Sequence, residues 1–120
     1  CEQTAHKIFA GSDATVIPSR YEPCGLTQME AHRYGTVPIA RDTGGLHDTI
    51  DDGRTGFLFA DVSKTDLLAA TQRAYDAYHD SSQWKTMMAS CMREDHSWEK
   101  SAIEYAELNN EILRKSSLSR

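Results

Sequence analysis

The run Ala14-Thr15-Val16-Ile17 constrains this chain more than any other four residues in it. Apolar and β-branched side chains follow one another without a charged alternate, so the segment reads as a strand covered on both faces, as in a parallel sheet. Gly11-Ser12-Asp13 precedes it and Pro18-Ser19 closes it, and both are turn signals. A second apolar run occupies residues 37–40 and a third short strand residues 55–59. Before and between them lie stretches of helical composition: 2–10, with Ala5, Ile8 and Phe9 near one face; 25–34, stopped by Gly35; and 46–50, after a Gly44-Gly45 pair. Strands alternating with helices form βαβ units, so the fold class is α/β. About three parallel strands are too few for a doubly wound sheet and would leave an apolar edge unpaired, so further strands are expected upstream of Cys1.

From residue 64 the pattern changes to helices alone. Leu67, Leu68, Ala70, Thr71, Ala74, Tyr75 and Tyr78 fall at three-to-four spacing on one stripe. Asp80-Ser81-Ser82 then supplies a link and an N-cap for a helix carrying Trp84, Met87, Met88 and Cys91. A last helix starts near Ser97-Trp98 and runs through Ile103, Leu108 and Ile112, before a polar tail over 114–120 that is expected to fray. Trp84, Trp98, Met87 and Met88 are expected to be packing residues. The chain thus divides into a half-sheet over 1–60 and a helical cap over 61–120 of the same lobe.

At 120 residues this is one domain. A net charge of -5 argues against a nucleic-acid partner, which needs a basic face. No apolar run is long enough to span a membrane. Three cysteines, Cys1, Cys24 and Cys91, stand far apart without a CxxC, which fits a reducing compartment. His6, His32, His47, His79 and His96 are equally scattered, so no metal and no cofactor is assigned. Asp51-Asp52 beside Gly53 is turn chemistry. A chain that opens on Cys1 without a leader is expected to be a piece of something longer.

The chemistry concentrates in residues 18–30, Pro-Ser-Arg-Tyr-Glu-Pro-Cys-Gly-Leu-Thr-Gln-Met-Glu, between the end of a strand and a helix. Ligands bind at that place in open α/β sheets. Gly25 allows the backbone to approach a ligand closely, and the first amides of a helix starting near Leu26 are unpaired at the positive end of its dipole. Such a start cradles a diphosphate without a basic side chain. Arg20 is expected to hold the loop by pairing with a carboxylate such as Glu22. Cys24 is expected near the site without acting as a nucleophile. His47-Asp48 is set aside as a catalytic pair, since adjacent helical residues point apart.

The stretch PSRYEPCGLTQMEAHRYGTVPIARDTGGLHDTI resembles the corresponding part of bacterial glycogen synthases and plant starch synthases. In weaker form the match extends through GRTGFLF and the Ser97-Trp98 helix. The resemblance implies a two-lobed GT-B fold with a Rossmann-like C-terminal lobe. It further implies retaining transfer of glucose from ADP-glucose to the non-reducing end of an α-1,4-glucan.

By that resemblance Glu22 matches the first carboxylate of an E-x7-E motif, which binds hydroxyls of the transferred sugar. Cys24, Gly25 and Leu26 match a loop whose amides face sugar and phosphate, and Thr27 a position near the diphosphate. Glu30 takes the second motif position, which contacts the ribose in many relatives, although bacterial glycogen synthases often carry a non-acidic residue there. Thr43, Gly44 and Gly45 match a TGGL segment that walls the same cleft. The family's basic diphosphate ligands and its acceptor-binding N-terminal lobe lie upstream of Cys1, so the isolated chain is expected to be inactive. The setting is a bacterial cytoplasm, or a plastid for a starch synthase. Two alternatives stay open: a GT-B transferase with another nucleotide sugar or acceptor, and a non-catalytic nucleotide-binding module.

Overall fold

A computed structural model describes residues 2–118. Three parallel strands lie side by side in chain order: β1 (Ala14–Ile17), β2 (Val37–Arg41) and β3 (Phe57–Phe59). Ala14 stands opposite Val37, and Ile39 opposite Phe57. Six helices accompany them: α1 (Glu2–Ala10), α2 (Thr27–Tyr34), α3 (Gly44–Thr49), α4 (Lys64–His79), α5 (Ser81–Arg93) and α6 (Trp98–Leu118). The α/β class and the helical C-terminal half agree with the sequence pattern.

The central strand explains why the second apolar run has no polar alternate. Val37 and Ile39 enter a core with Phe57, Phe59, Ala70, Ala74, Trp84, Met87 and Cys91 beneath α4 and α5. Ala40 enters a second core on the opposite face with Ile17, Leu46 and Ile50. A strand that feeds two cores must be apolar throughout. β1 departs from this expectation: Ile17 is buried, but Val16 is 51% exposed. β1 pairs on one side only, and α4 and α5 pack over β2 and β3.

The stripe expected on α4 is also corrected. Its buried positions are Ala70, Ala74 and Ala77, with Leu67 half-buried, whereas Leu68 and Tyr75 are exposed. Alanines let the helix axis come close to the sheet, and several neighbouring positions are apolar enough that periodicity cannot choose the face. Arg73 then lies over the Phe57 ring, 5.2 Å from its centroid, and bonds Asp52 at 2.8 Å. Side-chain caps fix both helix starts: Ser63 Oγ accepts from Asp66 N at 3.0 Å, and the Asp80 carboxylate accepts from Ser82 N and Gln83 N.

Trp84 and Met87 are core residues, but Trp98 is 84% exposed and α6 presents Ile103, Leu108 and Ile112 to solvent. Apolar spacing marks a helix face without saying that anything covers it. Ile8 of α1 is exposed for the same reason. The tail expected to fray is helical as far as Leu118, where α6 ends; residues 119–120 lie outside the described ones. Among the described residues no helix is long and apolar enough to cross a membrane.

Candidate functional site

The loop from residue 18 to residue 26 leaves the carboxyl end of β1 and leads into α2. That helix starts at Thr27, two residues later than expected, because Gly25 takes φ +71°, a left-handed conformation that only glycine adopts freely. Leu26 is the N-cap and offers no side-chain acceptor, so no side chain caps the first amides of α2. Leu26, Thr27 and Cys24 are all exposed. The start of α2 therefore presents Leu26 and Thr27 to solvent, while its inner side is packed through Gln28.

Glu22 is half-buried, and Ser19 Oγ donates to its Oε2 at 3.3 Å. Arg20 does not make the ion pair expected of it among the described residues. Its backbone carbonyl instead accepts from the Arg41 guanidinium, which anchors the loop to the end of β2. The glycine pair opening α3 approaches from the other side. Gly45 N donates to Glu22 O at 3.0 Å. A Cβ on Gly44 would lie 2.0 Å from Glu22 O, and one on Gly45 only 1.7 Å from Cys24 O. These glycines thus do more than make a turn: their bare backbone is what the loop rests on.

Thr43 is the half-buried N-cap of α3, with extended backbone. The structure therefore brings Glu22, Cys24, Gly25, Leu26, Thr27, Thr43, Gly44 and Gly45 together at one mouth of the sheet. Glu30 lies one turn further along α2, its carboxylate exposed.

Three features were not anticipated from sequence. Gln28, fully buried in the first turn of α2, donates from Nε2 to Gly25 O at 2.8 Å, to Thr49 Oγ1 at 3.0 Å and to Cys24 O at 3.3 Å. The only signal was a glutamine just after a glycine at a helix start. Second, His47 Nδ1 meets Asp42 Oδ1 at 2.5 Å, not Asp48, and this hydrogen bond raises its pKa. Third, His32 and His96, 64 positions apart, stack and hydrogen-bond at 3.1 Å. Burial lowers the pKa of both rings. Among the described residues no group of three or more His, Cys, Asp or Glu could hold a metal ion.

A sheet mouth with an open helix start and a carboxylate suits an anionic, sugar-bearing ligand, and comparison with known proteins decides the family. The family model for glycosyl transferases group 1 matches residues 2–87. The chain belongs to that family. Glycogen synthase of Thermodesulfovibrio yellowstonii is 49% identical to this glycosyl transferase chain over 112 residues, covering 93% of it and 22% of the relative. Glycogen synthase of Anoxybacillus flavithermus is 45% identical over 123 residues, covering 98% and 25%. Among solved structures, the catalytic domain of starch synthase IV from Arabidopsis thaliana, bound to ADP and acarbose, superposes with a TM-score of 0.84 at 40% identity. That match covers 92% of this chain and 24% of the other. The chain spans about a quarter of the length of the relatives it matches.

Proposed function

We propose that this chain is part of the nucleotide-sugar-binding lobe of a glycogen or starch synthase. In the full-length protein it would serve retaining transfer of glucose from ADP-glucose to the non-reducing end of an α-1,4-glucan. One observation carries the proposal: an exposed helix start without a side-chain cap follows the loop that carries Glu22, and that loop is bonded from behind by Gly45 N. The relatives named above support it, as does the ADP and acarbose found in starch synthase IV.

In this arrangement the amides opening α2 hold the diphosphate, helped by the helix dipole of roughly half a positive charge. Glu22 binds glucose hydroxyls and favours positive charge at the anomeric carbon as its bond to the diphosphate oxygen breaks. The loop amides over residues 24–26 stabilise the charge that develops on the departing ADP. The acceptor hydroxyl then bonds that carbon from the face the diphosphate left and passes its proton to the departing diphosphate oxygen, which retains configuration. Thr27 lies beside the diphosphate, Glu30 reaches toward the ribose, and the turn of Thr43, Gly44 and Gly45 closes the wall.

Residues 1–60 form the half-sheet of the lobe and 61–120 its helical cap. The basic diphosphate ligands and the acceptor-binding lobe come from the rest of the protein, so transfer requires the full length. The bacterial relatives support a cytoplasmic setting.

The test is Glu22→Gln in the full-length enzyme, assayed with ADP-glucose and glucan. We expect kcat to drop on the order of 100-fold or more, with the thermal midpoint preserved. Equal rates would rule out the role of Glu22, and a strong preference for UDP-glucose would move the chain to another transferase of the family.

A further inference from the structure

We propose that Gln28 is the positioning residue of this site: its side-chain amide clamps the loop over residues 24–25 in the shape that aims the loop amides at the diphosphate. The proposal rests on the function proposed above and assigns a role to a residue that touches no substrate.

The orientation of the amide is dictated by chemistry. Cys24 O and Gly25 O are carbonyls and can only accept. The Thr49 hydroxyl spends its hydrogen on Gly45 O at 2.6 Å, so toward Gln28 it too can only accept. Three acceptors converge on one point, and the NH2 end of Gln28 faces them with two hydrogens, one of them shared between two acceptors. The opposite end, Oε1, is buried with no hydrogen-bond partner. An orphaned carbonyl oxygen is unfavourable, and an apolar side chain of similar size would avoid it. The fold nonetheless keeps an amide there, and what the amide supplies is donors to the loop.

The same side chain ties three segments that sequence separates. It belongs to α2, bonds the loop before α2, and reaches Thr49 at the far end of α3, whose first residues touch that loop again. Gly25 is matched to it: besides the left-handed φ, a Cβ there would lie 2.5 Å from Gln28 Oε1. The loop is thus fixed on its inner side by Gln28 and Gly45, while the outer side of Cys24 and Leu26 stays open to a ligand. Preorganised amides lose much of their effect when displaced by about 1 Å, so loosening the clamp falls on the chemistry more than on the fold.

The experiment uses the full-length enzyme with Gln28→Met, Gln28→Glu and, as a core control, Met87→Ala. ADP binding is measured by calorimetry, and steady-state rates are measured with ADP-glucose and glucan. For Gln28→Met we expect kcat/KM for ADP-glucose to fall on the order of 100-fold and the ADP Kd to rise about tenfold. Binding stoichiometry and the glucan KM should stay unchanged.

Ionised Gln28→Glu has no donor and should behave alike, recovering relative to wild type as acid restores one O–H donor. Met87→Ala should lower the thermal midpoint while leaving Kd and both KM values in place. A fall in ADP stoichiometry at unchanged Kd, or failure of both Gln28 variants to fold, would overturn the proposal by making Gln28 merely structural. If wild type is active and Gln28→Met matches it, this inference alone falls. If wild type neither binds ADP nor transfers glucose, the proposed function falls and takes the clamp with it.

Discussion

Replacing Gly45 with alanine is the sharpest test of how the site is held. The added Cβ would lie 1.7 Å from Cys24 O, 2.3 Å from Cys24 C and 2.6 Å from Cys24 Cα, against a closest ordinary approach of 3.0 Å. All three atoms are backbone, so no side chain can swing aside and the loop must retreat by more than an ångström. The move also strains the bond from Gly45 N to Glu22 O, now 3.0 Å. Helix propensity favours alanine over glycine by at most about 1 kcal/mol, and less at a helix end. Overpacking of this kind costs about 3 kcal/mol, so the clash wins. The consequence for catalysis is larger than for folding, because Glu22 and the loop amides move together, and such a displacement costs on the order of 100-fold in rate.

Gly53→Ala supplies the contrast. Its φ of +81° imposes about 1 kcal/mol of strain, but no atom lies within 4 Å of the new Cβ and the residue is remote from the loop. Denaturant unfolding and ADP-glucose transfer of the full-length enzyme should show Gly45→Ala impaired in both and Gly53→Ala only slightly less stable. Wild-type transfer and ADP affinity in Gly45→Ala would refute the contact between α3 and the loop.

The histidine pair sets a pH dependence. His32 has its folded pKa below the ordinary 6.5, first through burial, then through His96 and Arg54, against the Thr55 carbonyl and Glu94. The unfolded chain therefore binds more protons, so this stability is complete above about pH 6.5 and is lost as pH falls from there through the folded pKa. The thermal midpoint should drop as pH falls below about 6.5, and His32→Gln should flatten that slope; equal slopes would remove His32 as its origin. The cysteines should differ in reactivity. Cys24 is exposed on the loop, whereas Cys91 is fully buried, donates to Thr55 O at 3.3 Å, and has its pKa pushed up to about 12 by burial. Peptide mapping after brief alkylation should find Cys24 modified, Cys91 spared, and Cys24 protected by ADP; modification of Cys91 first would contradict the packing of α5.

Local chemistry in the sequence determined the strands, the turns and the place of the loop. An unbroken apolar run between turn residues can only be a strand covered on two sides or an edge waiting for cover, and a glycine after it followed by a helix marks the ligand end of the sheet. Residues 37–40 and the loop at Glu22 and Gly25 were therefore legible. The tertiary structure alone decided which apolar faces were covered. Ala70, Ala74 and Ala77, not Leu68 or Tyr75, meet the sheet, and Trp98 is left exposed. It also decided that Gln28 reaches Thr49 and that His32 finds His96. The physical reason is range: periodicity and turn propensity act over a few neighbouring residues, whereas burial and hydrogen-bond partners are set by segments tens of residues away.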